Sequence, residues 1–245
     1  MRTRKDGVQA SPHPTLDWLA TMNEDASLEK SKPVPLSRDA RRVLGVLVEK
    51  AKTTPDSYPL SVSGIISGSN QKSNRSPQLQ LDEDDVLTAI DELKQVGAAR
   101  EIQGSGRVTK YRHAAYEWLD VDSPGAAVMT ELLLRGPQTL GEIRTRASRM
   151  YALDDLSTTQ QIVDQLIEKD LIEPLTPPGR GQTFAHKLYP PEERQYLEAK
   201  IEKQAAAAPS PAKASNNAVD ALIARMDTVN ERIEALEKRL DELES

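Results

Sequence analysis

Cysteine is absent from the 245-residue sequence. Its absence excludes disulfide bonds, zinc sites with thiolate ligands and cysteine nucleophiles. No apolar run approaches the roughly 18 to 20 residues that cross a bilayer, and the segment before Leu36 lacks the apolar middle section of a secretion signal. These features predict a cytoplasmic protein that does not bind a membrane.

Aromatic residues are scarce, at 4% of the chain with a single phenylalanine, Phe184. The core must therefore be built from Leu, Ile, Val and Ala, which favours helix-rich packing over a β-sandwich. Lys and Arg number 32 against 38 Asp and Glu, so the formal net charge is -6. The composition predicts a mainly α protein with short β-hairpins (α+β), in two modest domains rather than one large core.

The first helical pattern begins in "SRDARRVLGVLVEKA", where apolar residues at helical spacing follow the capping residue Ser37. A short second helix is predicted in "PLSVSGIISGSN", and a third begins at the cap Asp82 and ends at Gly97. Two β-prone runs, "AREIQ" and "VTKYRH", flank the turn "GSGR" and predict a hairpin. The order is helix, helix, helix, hairpin.

The same order occurs a second time. The strings "SPGAAVMTELLLRG", "TLGEIRTRASRM", "STTQQIVDQLIEKDLIEPL" and "FAHKLY" repeat the three helices and the closing strand. This duplication predicts two tandem winged-helix domains, residues 36–119 and 120–190. We expect a disordered N-terminal arm over residues 1–35, because its prolines and mixed charges leave few apolar side chains to bury. A helix extension and flexible linker are expected over residues 191–217.

Residues 218–245 carry a heptad pattern of apolar side chains, separated alternately by three and four positions. Its members are Val219, Leu222, Met226, Val229, Ile233, Leu236, Leu240 and Leu243. Oppositely charged residues flank this seam at positions where they can pair between parallel chains. The pattern predicts a coiled coil that forms a parallel homodimer, with a trimer or packing against the domains as alternatives.

Several strings, in this order, resemble the YceH family of bacterial proteins over about residues 36–190: "RVLGVLVEK", "TTPDSYPLS", "NQKSNRSP" and "LLLRGPQTLGEIRTRA". The resemblance implies tandem winged helices and brings no established activity. The chain departs from the family pattern where Ser67, Gly68 and Ser69 replace Asn-Ala-Cys, and where Ser76 replaces Asp. A role for that thiol or acid is therefore not carried over to this chain.

Enzymatic chemistry finds little support in the sequence. His13, His113 and His186 are far apart, and the last two are expected on hairpins with solvated tips. The carboxylates from Asp82 to Asp85 are better explained as a helix cap than as a metal site. We therefore predict a non-enzymatic binding protein with no catalytic residue, metal or cofactor.

Winged helices commonly place the third helix in the major groove of DNA. The first copy's third helix begins with four acids, which disfavours phosphate, whereas the second opens with "STTQQ" and follows a helix rich in arginine. The sequence thus predicts double-stranded DNA as the first partner and, as the alternative, a protein-interaction scaffold without nucleic-acid binding. The candidate DNA contacts are Arg144, Arg146, Arg149, Thr158, Thr159, Gln160, Arg107, Arg112 and Arg180.

The polar loop "SNQKSNRSP" between the second and third helices has two interpretations. As a structured connector, its asparagines Asn70 and Asn74 satisfy local backbone groups. As an anion or nucleic-acid contact, Gln71, Lys72 and Arg75 project as hydrogen-bond donors. The connector is the main prediction, and both leave these three side chains pointing outward.

Overall fold

The protein is described by a computed structural model over residues 33–103, 108–179 and 181–207, together with residue 225. The predicted arm as far as residue 32, the heptad residues, Arg107 and Arg180 lie outside the described residues, so the statements made about them stay predictions. The described residues from Val34 to Ala207 belong to one compact unit.

Eight α-helices and five short strands make up the described residues. The helices are α1 Arg38–Thr53, α2 Val62–Ser69, α3 Glu83–Gln95, α4 Ala115–Leu119, α5 Ser123–Arg135, α6 Leu140–Ala147, α7 Leu156–Glu168 and α8 Pro191–Ala207. The strands are β1 Ala99–Ile102, β2 Lys110–His113, β3 Gln138–Thr139, β4 Ile172–Pro174 and β5 Thr183–His186. A mainly helical chain with small antiparallel sheets is therefore confirmed.

Side-chain caps fix where the main helices begin. The hydroxyl of Ser37 accepts the N–H of Ala40 at the start of α1, and Asp82 caps α3 in a reciprocal capping box with Asp85. Asp155 caps α7 through a single hydrogen bond, by accepting the N–H of Thr158. The acidic start of α3 is thus explained by capping, as the sequence predicted.

The strands form two small antiparallel sheets. In the first, β1 pairs with β2, and Leu60 adds an isolated bridge to Tyr111 of β2. In the second, β5 lies between β3 and β4, with Gln138 paired to Phe184. We call residues 36–119 the first half and residues 120–190 the second half. In both halves, a residue that precedes the second helix pairs with the last strand of the hairpin.

Backbone hydrogen bonds repeat between the two halves. After α3, the N–H of Ala98 donates to the carbonyl of Leu93 at 2.8 Å; after α7, the N–H of Leu171 donates to Leu166 at 2.9 Å. Ala98 and Leu171 are as far apart along the chain as Leu93 and Leu166 are. Each third helix therefore ends in the same turn before its hairpin.

Helix α1 packs against α5 and joins the two halves at the centre of the core. A Cβ atom on Gly45 would lie 2.8 Å from Cδ2 of Leu134, so glycine is needed for this close approach. Every residue of α1 from Ala40 to Glu49 is buried. The sequence pattern suggested an apolar face opposite a solvated charged face, and this was wrong for Arg41, Arg42 and Glu49.

Candidate functional site

An ion cluster lies between α1 and α5, where the two halves meet. We call it the central ion cluster; its members are Glu49, Arg75, Glu131, Arg135 and Arg149. The side chains of Glu49 and Arg75 are 2% and 0% exposed and form an ion pair. Buried charges of this kind are tolerated only when they are paired and hydrogen-bonded.

Arg149 connects the two buried carboxylates of the central ion cluster. Its Nη2 lies 2.7 Å from Oε1 of Glu49 and 2.6 Å from Oε1 of Glu131. Arg135 approaches Glu131 from the other side, with Nε 3.1 Å from Oε2. The carboxylate from α1 and the one from α5 therefore share a guanidinium.

The central ion cluster holds three guanidinium groups and two carboxylates, so positive charge is in excess. Burial lowers the pKa of Arg135, and repulsion from Arg146, Arg149 and Arg75 acts in the same direction, against the attraction of Glu131. An arginine remains protonated under these conditions. The five side chains therefore carry one more positive charge than negative charge.

The loop "SNQKSNRSP" is held by hydrogen bonds at both of its ends. The side chain of Asn70 accepts the N–H of Leu81 and donates to its carbonyl, both at 2.8 Å. Arg42 donates to the carbonyls of Ser69 at 3.0 Å and Pro77 at 2.7 Å. These contacts favour the connector interpretation over a loop that waits for a ligand.

Within this loop, Arg75 does not project outward as expected. Its Nε donates to the carbonyl of Gly68 at 2.9 Å, and its other nitrogens reach Glu49 and the carbonyl of Asn74. The expectation was wrong because the buried carboxylate of Glu49 draws the guanidinium inward. Lys72 is exposed and Gln71 is half-buried.

The arginines predicted to contact DNA are bound within the chain. Arg144 donates to the carbonyl of Asp154 at 3.1 Å. Arg146 donates to Oε1 of Gln138 at 2.6 Å and lies 3.1 Å from Glu142. Arg149 belongs to the central ion cluster. The structure brings these three arginines together around α6, where each already bonds a group of the same chain.

At the start of α7, the predicted hydroxyl and amide side chains divide between surface and interior. Thr158 is exposed, whereas Thr159 is buried and donates its hydroxyl to the carbonyl of Asp155 at 2.8 Å. Gln160 is half-buried and donates to Asp164 at 2.7 Å. Arg112 is exposed on β2, in the other half of the chain.

A groove of about 470 Å³ lies between the starts of α6 and α7 and the hairpin β4–β5. The described residues of its lining are uncharged and mix apolar side chains with two amides. We call it the α7 groove; it is formed by Thr139, Leu140, Gly141, Leu156, Gln160, Gly179, Gly181, Gln182 and Phe184. Leu156 at its rim is 50% exposed.

Comparison with known proteins identifies the family. Residues 36–179 match the family described as "Protein of unknown function, DUF480". A UPF0502 protein of Rhodopirellula baltica is 65% identical over 215 residues, covering 87% of this chain and 91% of the relative. The chain belongs to the DUF480 family. The resemblance to the YceH family is thereby confirmed.

Other members of the DUF480 family align over shorter stretches. A UPF0502 protein of Geotalea daltonii is 48% identical over 136 residues, which cover 56% of this chain and 62% of the relative. One of Koribacter versatilis is 41% identical over 159 residues, covering 63% and 74%. The printed names of these relatives state no activity, so the family assignment supplies no substrate.

The sequence suggested that the two hairpin histidines of this DUF480 protein are solvated, and this was wrong, because both rings are largely buried. His113 accepts the N–H of Ala115 at Nδ1, at 3.3 Å, and His186 accepts that of Leu188, at 3.2 Å. Burial lowers the pKa of His113 to about 4, with repulsion from nearby Lys52 second, and burial holds the pKa of His186 well below its usual range. Both rings are therefore neutral hydrogen-bond acceptors at pH 7.

The described part of this DUF480 protein contains neither a cluster of metal ligands nor a membrane-spanning helix. Within residues 33–103, 108–179 and 181–207, no three His, Asp or Glu side chains converge as metal ligands would. No helix of the described part has the length and apolarity to cross a bilayer.

Sequence reasoning missed the carboxylates of the central ion cluster and the α7 groove. The burial of Glu131 could have been predicted, since it lies within the apolar run "VMTELLL" of a helix whose pattern places it in the core. The groove had no such signal, because its lining comes from α6, α7 and the loop of the hairpin.

Proposed function

We propose that this DUF480 protein is a non-enzymatic protein-interaction module, built from two winged-helix units, that binds a peptide segment of a partner in the α7 groove. Two features support the winged-helix part. Each half has three helices followed by an antiparallel hairpin. Each also has a short pairing to the last strand, Leu60 to Tyr111 and Gln138 to Phe184. The proposed units are residues 36–119 and 120–190.

The main support for a peptide site is Leu156, whose side chain is half exposed. It stands beside Leu140 and Phe184, which give the α7 groove an apolar surface. Gln160 and Gln182 add amides that can bond the backbone of a bound peptide. A concave apolar site with a few polar groups is the usual form of a binding site.

The charges around the α7 groove indicate the chemistry of its partner. The described lining residues of the groove are uncharged, whereas Glu142, Asp154 and Asp155, next to lining residues in the sequence, are exposed. Opposite charges across an interface steer association and set specificity. The proposed partner is therefore a peptide with an apolar side chain flanked by lysine or arginine.

The same charges argue for a protein partner over DNA. Binding the phosphates with Arg146 or Arg149 would require breaking their contacts with Glu142, Glu49 and Glu131. The outer face of α7 also exposes Asp164 and Glu168, which repel a polyanion. Both considerations favour the scaffold alternative.

Peptide display on the full-length chain tests the proposal. Selected peptides should share an apolar residue with basic neighbours, and Leu156→Asp should weaken their binding by about tenfold or more, because a buried leucine contributes about 1.5 to 3 kcal/mol. Val108→Asp is the matched control, since Val108 is 62% exposed on the other hairpin. It should leave peptide binding unchanged.

Two results would contradict the peptide site. One is equal binding of the selected peptides to Leu156→Asp and to the wild-type chain. The other is binding of mixed-sequence duplex DNA much tighter than the roughly 1 µM limit of non-specific affinity at physiological salt. If such DNA binding also weakened on replacing Arg144 and Arg146 with alanine, DNA would be the better function.

We further propose that the heptad pattern of residues 218–245 forms a parallel coiled coil, so that two copies of the groove act together. Its support is the sequence pattern alone. Light scattering should give twice the chain mass for the full-length protein and a single chain mass after truncation before residue 218. A single chain mass for both would overturn the homodimer.

A further inference from the structure

A second cavity, of about 370 Å³, lies beside the central ion cluster, away from the α7 groove. Its apolar lining residues are Pro137 together with Leu197 and Ile201 of α8. The lining also includes the hydroxyl-bearing Thr176 and Thr183 from the second hairpin. The connector loop, the end of α5, the hairpin and α8 thus all contribute, and sites formed where several elements meet are common ligand sites.

Two cationic side chains line this cavity, and none of the described residues that form it carries a carboxylate. Arg135 reaches it from α5, and Lys200 reaches it from α8. Arg135 belongs to the central ion cluster, in which guanidinium groups outnumber carboxylates. Its Nε is paired with Oε2 of Glu131 at 3.1 Å without a hydrogen bond between them, and its Nη2 donates to Oδ1 of Asn74. The side chain of Arg135 is 16% exposed, so it is open to the cavity while most of it is shielded from water.

The hydroxyl groups are placed to add hydrogen bonds to a bound anion. Oγ1 of Thr176 accepts the backbone N–H of Thr183 at 2.9 Å and lies 3.4 Å from Oγ1 of Thr183, so one of the two hydroxyl protons is left for another acceptor. Ser76 of the connector loop is exposed at the rim of the cavity. Hydrogen bonds between such donors and an ionised group are stronger than those between neutral groups.

We propose that this cavity binds a small organic anion. Its carboxylate or phosphate group lies between Arg135 and Lys200, where it neutralises the excess charge of the central ion cluster. Its apolar portion lies against Leu197 and Ile201. The volume falls within the roughly 300 to 1,000 Å³ of ligand pockets. The proposal is independent of the peptide site, since the two cavities share no residue.

Calorimetric titration of the full-length chain with four probes tests this assignment. Hexanoate and hexyl phosphate carry both an anion and a chain, hexanamide lacks the charge, and inorganic phosphate lacks the chain. At least one of the first two should bind about tenfold or more tighter than hexanamide and inorganic phosphate, because a charged hydrogen bond contributes about 1.5 to 3 kcal/mol. The preference between hexanoate and hexyl phosphate identifies the anionic group.

Variants of α8 localise the binding. Lys200→Gln should weaken the better anion by about threefold to tenfold without changing hexanamide, since it removes one partly solvated charge. Lys203→Gln, an exposed lysine on the same helix outside the cavity lining, is the control and should bind like the wild type. Ile201→Asp introduces a negative charge into the apolar lining and should abolish binding.

Three results would overturn the proposal. They are the absence of binding by both hexanoate and hexyl phosphate at millimolar concentration, equal affinity for the anions and their counterparts lacking charge or chain, and binding unaffected by Lys200→Gln and Ile201→Asp. Circular dichroism of each variant confirms that it is folded, so a loss of binding is assigned to the cavity.

Discussion

Replacing Arg75 with methionine should destabilise the protein strongly. The substitution leaves the buried carboxylate of Glu49 with only Arg149 as a charged partner, and it removes hydrogen bonds to the carbonyls of Gly68 and Asn74. Removing one partner of a buried ion pair costs about 3 to 5 kcal/mol. Because small domains are stable by only about 5 to 15 kcal/mol, the loss is a large share of the free energy of unfolding.

A double-mutant cycle separates the ion pair from other effects of Arg75→Met. In Arg75→Met with Glu49→Met, no unpaired carboxylate remains, so the combined loss should fall short of the sum of the single losses by about 2 kcal/mol or more. Urea denaturation followed by circular dichroism at pH 7 gives the four free energies. Lys72→Met, an exposed change in the same loop, should stay within about 0.5 kcal/mol of the wild type.

If the losses of unfolding free energy in Arg75→Met and Glu49→Met were additive, the two side chains would not be coupled as a buried ion pair. A loss below about 1 kcal/mol for Arg75→Met would refute the buried ion pair as well, since this is the range of exposed ion pairs.

Three further predictions concern packing, the loop and pH. Gly45→Ala should cost about 1 to 2 kcal/mol by crowding Leu134, whereas Gly141→Ala, with open space at its Cβ, should gain up to about 1 kcal/mol; urea denaturation that gives both the same sign would contradict this packing. By the same measurement, Asn70→Ala should cost about 1 to 3 kcal/mol through its two lost hydrogen bonds to Leu81, and no loss would mean that the loop is not held there. The unfolded chain protonates His113 near pH 6.5 and the folded chain only near 4, so the stability due to the neutral ring is present above pH 6.5 and is lost as the pH falls toward 4. That loss is about 2 kcal/mol at pH 5, and His113→Gln should lack it in urea denaturation between pH 7 and 5; an unchanged pH dependence would disprove the assignment.

Much of the local structure follows from the sequence. The caps Ser37 and Asp82, the turn at Gly97 and the hairpins are set by residues close together in the chain, so their patterns are visible without the fold. The burial of Arg42 and Glu49 was not predicted, because it depends on α5 packing over α1. A helical charge is read as solvated until its distant neighbour is known.

The candidate site shows the same division. The hydroxyl of Thr159 was assigned to a ligand, yet it bonds the backbone carbonyl of Asp155, one turn earlier. Arg149 was assigned to phosphate, yet two carboxylates from different helices hold it. Residue type predicted the kind of bond in both cases, and only the three-dimensional arrangement decides the partner.

The position of Arg42 has a consequence for how the molecule unfolds. From α1, its guanidinium reaches the carbonyls of Ser69 and Pro77 in the first half and lies 3.4 Å from that of Leu134 in the second. Burial, followed by repulsion from Arg75, lowers its pKa to about 10, which still leaves it charged at pH 7. Separating the halves would take the Leu134 carbonyl away from this cation and expose the buried residues of α1 that α5 covers, so thermal melting should proceed as one cooperative transition, and neither half should be a stable fragment by itself.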